Sequence, residues 1–285
     1  MKNFLVLLSF CILFSTACEK IDKDVFFKLG SGQEFTLSDI ELYDTSTQFL
    51  YFKKDQDYLE KMYENSFAFM NKGEIIYQGS FHPGYSSSMP TGPFIWSPPM
   101  YGTYALKIDN WINPNNPDVR KDPTLINILN QNNLLHSGLQ ISASSINIQG
   151  SQLTFKFTVT NKDQTDLIII DPNKTGPNLF HYFTNGLYIY DSSNNEVFTS
   201  SIQHQSPDPW NSWKIEWLSE LKSGESTEFT IFYSIDNPLA SGEYEMKFEF
   251  PGLGVGGQIS KDQLYQGNRR IWLGEISTTK RVTIQ

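Results

Sequence analysis

Cysteine is almost absent from this chain. Its 285 residues include only two, Cys11 and Cys18, and both lie within the first 18 positions. The rest of the chain therefore has no thiol for catalysis and cannot form an intrachain disulfide. Its folded body must be held together by its hydrophobic core alone, and a chain of this length can bury a core of sufficient size.

Long hydrophobic runs are also missing. The apolar stretch at 4–14 is about half as long as the roughly 20 residues that a helix needs to cross a bilayer, and no later stretch is long enough. It follows Lys2 and precedes the small residues at 15–17. A positive start, a short apolar segment and small residues are the layout of an export signal.

The export signal ends in FSTACEK at residues 14–20. Small residues directly before Cys18 and polar residues directly after it resemble the lipobox of bacterial lipoproteins, in the form found in the Bacteroidetes. Ser15 departs from the pattern, since the family usually has Leu, Val or Ile at that place. The resemblance implies that residues 1–17 are removed as a signal peptide and that the sulfur of Cys18 receives a diacylglyceryl group.

This resemblance implies an outer membrane lipoprotein of the cell envelope, which faces either the cell surface or the periplasm. Its acyl chains alone would supply the membrane attachment. The acidic and basic residues at 19–24 accompany surface display in some lipoproteins of this group. The alternative is a secreted protein whose cleavage site lies beside Cys18 by chance.

Clusters of basic residues are lacking as well. The formal net charge is −9, from 22 Lys and Arg against 31 Asp and Glu. Without a basic stripe the chain has no electrostatic footprint for nucleic acid. Without a polybasic patch it has no second means of binding anionic lipid. We therefore expect no nucleic-acid partner, and membrane contact only through the lipid anchor.

Recognisable catalytic and metal-binding motifs are missing too. The four histidines, His82, His136, His181 and His204, form no H-E-x-x-H motif or other close ligand pair, and no G-x-S-x-G elbow is present. The glycine-rich segment 254–257 lacks the Lys-Ser/Thr ending of a phosphate-binding loop. Numerous carboxylates leave an acid/base pair open, but solvated surface acids are the simpler interpretation. We predict no enzyme, no cofactor and no metal.

The remaining pattern predicts a mainly β protein in two parts. After the signal peptide we expect a polar tether (18–33) and a β-rich N-terminal region (34–112). A linker with a short helix (113–139) then leads to an immunoglobulin-like antiparallel β-sandwich (140–285).

Local signals place elements within the N-terminal part. FLYFKK (49–54) predicts a strand, and residues 66–81 predict a hairpin around the turn Asn71-Lys72-Gly73. The segment 55–65 predicts a short helix. Asp122 and Pro123 predict the start of another helix, as its cap and its first helical residue.

From residue 140 onward apolar and polar residues alternate, as in QLTFKFTVTN at 152–161. A period of two predicts half-buried strands, and about seven or eight such segments separated by turns predict an immunoglobulin-like sandwich. The other strand segments are LIII (167–170), GLYIYD (186–191), WKIEWL (213–218), EFTIFYSI (228–235), EYEMKFEF (243–250) and RRIWLGEIS (269–277).

Four segments of this part are similar, in order and spacing, to the β-sandwich of the intracellular proteinase inhibitor family. The shared residues mark strand ends and turns rather than an inhibitory loop, and Ser223 stands where a proline is common. The resemblance implies the sandwich fold and leaves protease inhibition as one candidate activity. The segments are FTVTN (157–161), GLYIYDSSNNEV (186–197), LKSGESTEFTI (221–231) and LASGEYEMKFEF (239–250).

Aromatic residues make up 14% of the chain, and several lie in a segment rich in Pro, Gly and Ser at 82–102. The prolines predict an irregular loop that cannot join a sheet interior. Tyr85, Phe94, Trp96 and Tyr101 on this loop are candidate ligand-binding residues, because a stiffened loop loses little entropy on binding. The alternative is that these rings cap the core of the N-terminal region.

A second aromatic group lies in SPDPWNSWKIEWLSE at 206–220. If 213–218 is a strand, Trp213 and Trp217 share one face, and we expect both in the sandwich core. Trp210 lies on the proline-rich approach to this strand. It is therefore a further candidate ligand-binding residue, able to stack on the face of a sugar.

These features favour a non-catalytic binding or scaffolding lipoprotein that takes protein partners. One alternative is a surface glycan-binding lipoprotein that uses the aromatic loop and Trp210, and another is a protease inhibitor. An enzyme would need a pocket in which carboxylates and a histidine converge.

Overall fold

The computed structural model describes residues 24–56, 65–111, 117–184, 186–198, 202, 204–235, 239–254 and 259–284. The predicted signal peptide, the lipidation site at Cys18 and most of the helix predicted at 55–65 lie outside the described residues. Strands make up 50% and helices 14% of the structure. The mainly β fold predicted from the sequence is therefore confirmed.

The described N-terminal part contains strands from two sheets and one helix. The elements are β1 (Val25–Leu29), β2 (Glu34–Thr36), β3 (Ile40–Asp44), β4 (Phe49–Phe52), β5 (Ser66–Asn71), β6 (Glu74–Pro83), β7 (Gly92–Ser97), β8 (Ala105–Lys107), β9 (Asp109–Trp111), α1 (Pro123–Gln131) and β10 (Leu135–His136). One sheet has the strand order β2-β1-β5-β6-β7-β9, and the other has the order β10-β3-β4-β8.

These two sheets pack across an aromatic core. Phe27 of β1 lies 5.0 Å from Phe69 of β5, measured between ring centroids, and 6.3 Å from Phe52 of β4 in the other sheet. Leu125 and Leu129 of α1 are fully buried in the same core. Large apolar side chains of both sheets and of α1 thus fill the space between the sheets.

Two local predictions in this part are confirmed. In the β5–β6 hairpin, Lys72 (φ 48°) and Gly73 (φ 83°) adopt the left-handed backbone that the turn requires and that glycine favours. At the start of α1, the side chain of Asp122 accepts a hydrogen bond from the backbone N–H of Thr124, and Pro123 occupies the first helical position.

Two other segments differ from the prediction. The expected polar tether includes β1, an inner strand of its sheet in which Phe27 is fully buried, because VFFKL carries enough apolar surface to pack. The expected irregular loop at 82–102 contains β7, which lies between β6 and β9. Pro93 stands near the start of β7 and Pro98 follows its end, so the N–H groups of residues 94–97 remain available for pairing.

The described C-terminal part contains strands of three sheets and one helix. Its elements are β11 (Leu139–Gln149), β12 (Gln152–Asn161), β13 (Leu167–Ile170), α2 (Pro172–Phe183), β14 (Leu187–Tyr190), β15 (Glu196–Phe198), β16 (Leu218–Leu221), β17 (Ser226–Ser234), β18 (Gly242–Pro251), β19 (Tyr265–Gln266), β20 (Arg269–Ile271) and β21 (Glu275–Ile284). The strand orders are β11-β12-β17, β15-β14-β18-β21 and β16-β13-β20-β19.

The first two of these sheets form the predicted β-sandwich. Phe155 and Phe157 of β12 lie 4.7 and 4.5 Å from Phe248 of β18, so side chains of the two sheets interdigitate. The third sheet contains a parallel pair, β13 with β20. The two sandwich sheets are antiparallel, as predicted, and the parallel pair belongs to the third sheet, which the sequence pattern does not predict.

The segment WKIEWL is not the predicted strand. Ile215–Trp217 form a turn of 3-10 helix, and β16 begins only at Leu218. Trp213 and Trp217 are half-buried and pack against the edge of the core rather than inside it. Three alternating apolar residues are too short a pattern to distinguish a strand from one helical turn.

The sheet of β3 and β4 lies between the two cores. Along β4, Leu50 and Phe52 face the N-terminal core, whereas Phe49 and Tyr51 face the C-terminal core. Successive residues of a strand point to opposite faces, so one strand can serve two cores. Residues from both parts of the chain can consequently meet in one site.

A buried ionic cluster crosses the same boundary. Arg270 of β20 donates to Asp44 at 2.8 Å and to Asp163 at 3.2 Å, and Nδ1 of His136 lies 2.7 Å from Asp163. All four side chains are buried. Burial raises the pKa of Asp163, but the hydrogen bond and charge of His136 and the charge of Arg270 outweigh it and lower that pKa to about 2.

Candidate functional site

Tyr101 is shared by two surface cavities. It lines a cavity of about 530 Å³ that contains Lys261 and a cavity of about 360 Å³ that contains Trp210. We call them the Lys261 cavity and the Trp210 cavity. Both volumes fall in the range of roughly 300–1,000 Å³ that is typical of small-molecule sites. Gly254 also lines both cavities.

The Trp210 cavity has aromatic walls formed by Tyr101, Tyr182, Phe183 and Trp210. Trp210 is 59% exposed. The hydroxyl of Tyr182 donates to the backbone carbonyl of Trp210 at 2.9 Å, and the ring of Tyr101 meets that of Phe49 edge-on at 4.6 Å. The hydrogen bond thus joins two walls of the cavity, and the contact with Phe49 anchors a third wall from outside it.

Helix α2 supplies the rings of Tyr182 and Phe183. Asp171 caps its first turn by accepting a hydrogen bond from the N–H two residues later, at 2.9 Å, and a proline follows the cap. The backbone leaves helical geometry at Gly176 (φ 72°, ψ 165°) and becomes helical again before Phe183. The two rings lie at the end of this second helical segment.

His181 fixes the same end of α2. It is 1% exposed, its ring lies 5.4 Å from that of Tyr233, and a Cβ atom at Gly186 would lie 2.2 Å from its Cε1. Within the described part of the chain, neither ring nitrogen has a hydrogen-bond partner. Burial and the charge of His204 lower the pKa of His181 to about 4. The ring is therefore neutral at pH 7 and serves as a packing element beside Tyr182.

Glycines form the backbone side of the Trp210 cavity. A Cβ atom at Gly254 would lie 3.3 Å from the ring of Tyr101, and one at Gly252 would lie 2.8 Å from the carbonyl oxygen of Gly274. Side chains at these places would contact the cavity wall. The bare backbone thus leaves room for a ligand to approach closely.

Glu275 supplies a carboxylate to the Trp210 cavity. It pairs with Pro251 across β18 and β21, which places Glu249 at the diagonal position on the same face. Burial and the charge of Glu249 raise the pKa of Glu275, and the charge of Lys107 opposes them. Glu249 itself is bound by Lys247 at 2.5 Å and does not line the cavity.

The Lys261 cavity is more polar. The hydroxyl of Thr103 donates to the carboxylate of Asp55 at 3.0 Å, and the side-chain oxygen of Gln263 accepts from the N–H of Ser260 at 3.0 Å. The cavity is also lined by Tyr104. It therefore combines an aromatic wall with hydroxyl, amide and carboxylate groups.

The charge of Lys261 is compensated locally. Its ammonium group pairs with Glu41 and lies 5.7 and 5.6 Å from the ring centres of Tyr104 and Tyr265. Burial and the charge of Arg270 lower the pKa of Lys261 to about 8. The cavity consequently does not present a free cation.

The structure brings two of the candidate ligand-binding residues, Tyr101 and Trp210, into one cavity. Phe94 is buried in β7, and Trp96 is half-buried with its ring 5.1 Å from that of Phe94. Tyr85 is 81% exposed after β6 but lines neither cavity. Of the four candidate residues on the aromatic loop, only Tyr101 lines the Trp210 cavity.

Sequence reasoning missed Tyr182, Phe183 and Glu275. A signal for the helix that carries the first two was present, since Asp171-Pro172 repeats the cap-and-proline pattern that identifies α1. Gly176 and the proline after it hide that signal by interrupting the helical pattern. Glu275 has no distinguishing local pattern.

Within the part of the chain that the structure describes, no histidine lines either cavity, and no group of three or more His, Cys, Asp or Glu could hold a metal ion. Neither described helix is long and apolar enough to cross a membrane.

Neither a scan against protein-family models nor a search of curated proteins finds a match for this chain. The function is therefore inferred from the geometry of the site.

Proposed function

We propose that this chain is an exported, lipid-anchored protein that binds a carbohydrate in the Trp210 cavity without reacting with it. The observation that carries the proposal is the convergence of four aromatic rings, those of Tyr101, Tyr182, Phe183 and Trp210, on one small cavity that also contains Glu275.

A sugar ring presents apolar C–H faces and polar hydroxyl edges. The C–H faces pack on aromatic rings, which supply a large contact area at a low cost in conformational entropy. The hydroxyl groups donate to a carboxylate in charge-assisted hydrogen bonds, which are stronger than neutral ones. The exposed indole of Trp210 and the carboxylate of Glu275 offer both kinds of contact in one cavity.

The same site is a poorer match for a protein partner, the ligand that the sequence pattern favours. A stable protein–protein interface buries roughly 1,200–2,000 Å² over an extended surface. The rings here converge instead on a cavity of about 360 Å³. A concave aromatic site of this size favours a small ligand or one segment of a chain.

Binding without reaction is inferred from the two carboxylates near the cavity. Glycosidases in general use two carboxyl groups that flank the scissile bond, one as acid and one as base or nucleophile. Glu275 lines the cavity, but Glu249 is engaged by Lys247 and lies outside it. The pair is therefore not arranged to flank a bound sugar.

The lipid anchor enters the proposal through FSTACEK at 14–20. A diacylglyceryl group on Cys18 would hold the protein at the membrane through its acyl chains. The binding site would then be concentrated at the cell envelope, where exported glycan-binding proteins meet their ligands.

Affinity electrophoresis tests the carbohydrate proposal. The mature chain is run through native gels that contain a neutral β-glucan, α-glucan, mannan or xylan. We expect at least one polymer to retard the protein and Trp210→Ala to lose most of that retardation. Trp111→Ala is the matched control, because Trp111 is 58% exposed and lines neither cavity. No retardation by any polymer, or equal retardation of both variants, would contradict the proposal.

A further inference from the structure

We infer that the Trp210 and Lys261 cavities form one continuous site for an uncharged oligosaccharide that lies across Tyr101, rather than for a single sugar. This inference rests on the proposed function and extends it to the class of carbohydrate. Its geometric basis is that Tyr101 and Gly254 line both cavities.

Tyr101 is held in a fixed position where it lines both cavities. Its ring meets Phe49 edge-on, with an interplanar angle of 90° and 4.6 Å between centroids, so the core of the C-terminal part holds it. Beside it, Gly254 contributes backbone alone, and even a Cβ atom there would lie 3.3 Å from the tyrosine ring. No side chain at position 254 blocks the path from one cavity to the other.

The Lys261 cavity offers the contacts that a further sugar unit needs. Tyr104 forms an apolar wall, and its hydroxyl is anchored by donating to the carbonyl of Ile259 at 2.7 Å. The carboxylate of Asp55 and the hydroxyl oxygen of Thr103, which donates its own proton to Asp55 at 3.0 Å, provide acceptors for sugar hydroxyls. Aromatic and polar groups thus recur on both sides of Tyr101.

The charges of the two cavities favour an uncharged chain. In the Trp210 cavity the carboxylate is Glu275, with Glu249 on the same sheet face. In the Lys261 cavity, Asp55 contributes a second negative group and Lys261 is paired with Glu41. Among the described residues, Lys261 is the only Lys or Arg that lines either cavity, and it is paired. A ligand rich in carboxylates or sulfates would therefore meet like charges at the cavity walls, which lowers its affinity.

Isothermal titration calorimetry tests this inference. The mature chain is titrated with the disaccharide, tetrasaccharide and hexasaccharide of the neutral polymer that retards it, and with oligogalacturonate as the acidic comparator. Asp55→Ala alters the Lys261 cavity, and Trp210→Ala alters the other cavity. Asp262→Ala is the matched control, because Asp262 is an exposed acid beside Lys261 that does not line the cavity.

We expect the tetrasaccharide to bind about tenfold more tightly than the disaccharide. We expect Asp55→Ala to bind both lengths with about the same affinity. Asp262→Ala should bind like the wild type, and Trp210→Ala should weaken all lengths. Equal affinity for the disaccharide and tetrasaccharide, or an unchanged Asp55→Ala, would overturn the inference and leave the proposed function standing. Tighter binding of oligogalacturonate would overturn the uncharged class, and no binding of any neutral chain would overturn both proposals.

Discussion

Tyr182 donates its hydroxyl proton to the backbone carbonyl of Trp210 at 2.9 Å, so helix α2 both lines the Trp210 cavity and holds the segment that completes it. Residues 204–214 around Trp210 contain no helix or strand, since the 3-10 turn begins at Ile215 and β16 at Leu218. This hydrogen bond thus joins the cavity wall formed by α2 to the wall formed by the irregular segment around Trp210.

Removing that bond should weaken the site without unfolding the protein. Tyr182→Phe keeps the ring on the cavity wall and loses only the hydroxyl. Because the bond is partly exposed, we expect a stability change of about 1 kcal/mol or less. Affinity for the retarding polysaccharide should fall several-fold, as measured by calorimetry beside thermal unfolding. Wild-type affinity in Tyr182→Phe would show that the bond does not position Trp210.

The buried ionic cluster should dominate the stability of the boundary between the two parts. Arg270→Ala leaves Asp44 and Asp163 buried without their guanidinium partner, and breaking a buried pair in this way costs about 3–5 kcal/mol. Urea unfolding measures this loss. Arg269→Ala is the control, because Arg269 pairs with Glu220 at the surface and exposed pairs contribute about 0–1 kcal/mol. Equal losses in the free energy of unfolding of Arg270→Ala and Arg269→Ala would contradict the stabilising role of the buried cluster.

His181 should make the protein less stable in acid. Its pKa is about 4 in the folded state and about 6.5 in an unfolded chain, so the unfolded state binds more protons between these values. The free energy of unfolding therefore includes the full contribution of neutral His181 above about pH 6.5. This contribution falls as the pH drops and is lost near pH 4, which lowers the free energy of unfolding by about 3 kcal/mol. Urea unfolding at several pH values, with His181→Phe as comparison, measures it. A wild-type curve parallel to that of His181→Phe would refute this role.

Local signals made part of the fold predictable. The β5–β6 turn and the start of α1 depend on residues next to each other in sequence, such as Gly73 with its positive φ and the Asp122 cap. The alternation in β12 likewise specifies a half-buried strand before its partners are known. These features carry their physical cause within a few residues.

Other features depend on contacts that no local pattern contains. Strand β1 is stabilised by pairing with β5 and by the aromatic core, so its short apolar run resembles part of a tether in isolation. The candidate site is harder to predict from the sequence than β1, because Tyr101, Tyr182 and Trp210 come from three separate segments. Composition identified Tyr101 and Trp210 as aromatic residues near prolines, but only the fold brings them to the same cavity.

Membrane attachment should depend on Cys18. In the wild type we expect the protein in the membrane fraction and, if it faces outward, accessible to protease added to intact cells. Cys18→Ala cannot accept the diacylglyceryl group, so it should be released or remain unprocessed. Immunoblots of membrane and soluble fractions distinguish these outcomes. A Cys18→Ala protein that is processed and still membrane-bound would contradict lipidation at this residue.

The most direct test of carbohydrate binding is to observe the indole of Trp210 while the ligand is added. The chain is labelled with ¹⁵N-tryptophan, the Trp210 indole signal is assigned by its loss in Trp210→Phe, and the retarding neutral oligosaccharide is titrated by NMR. Trp272, which is fully buried and donates to Ser46 at 3.2 Å, is the internal reference. We predict a progressive, saturable shift of the Trp210 signal and a stationary Trp272 signal. A stationary Trp210 signal at saturating ligand would contradict the account.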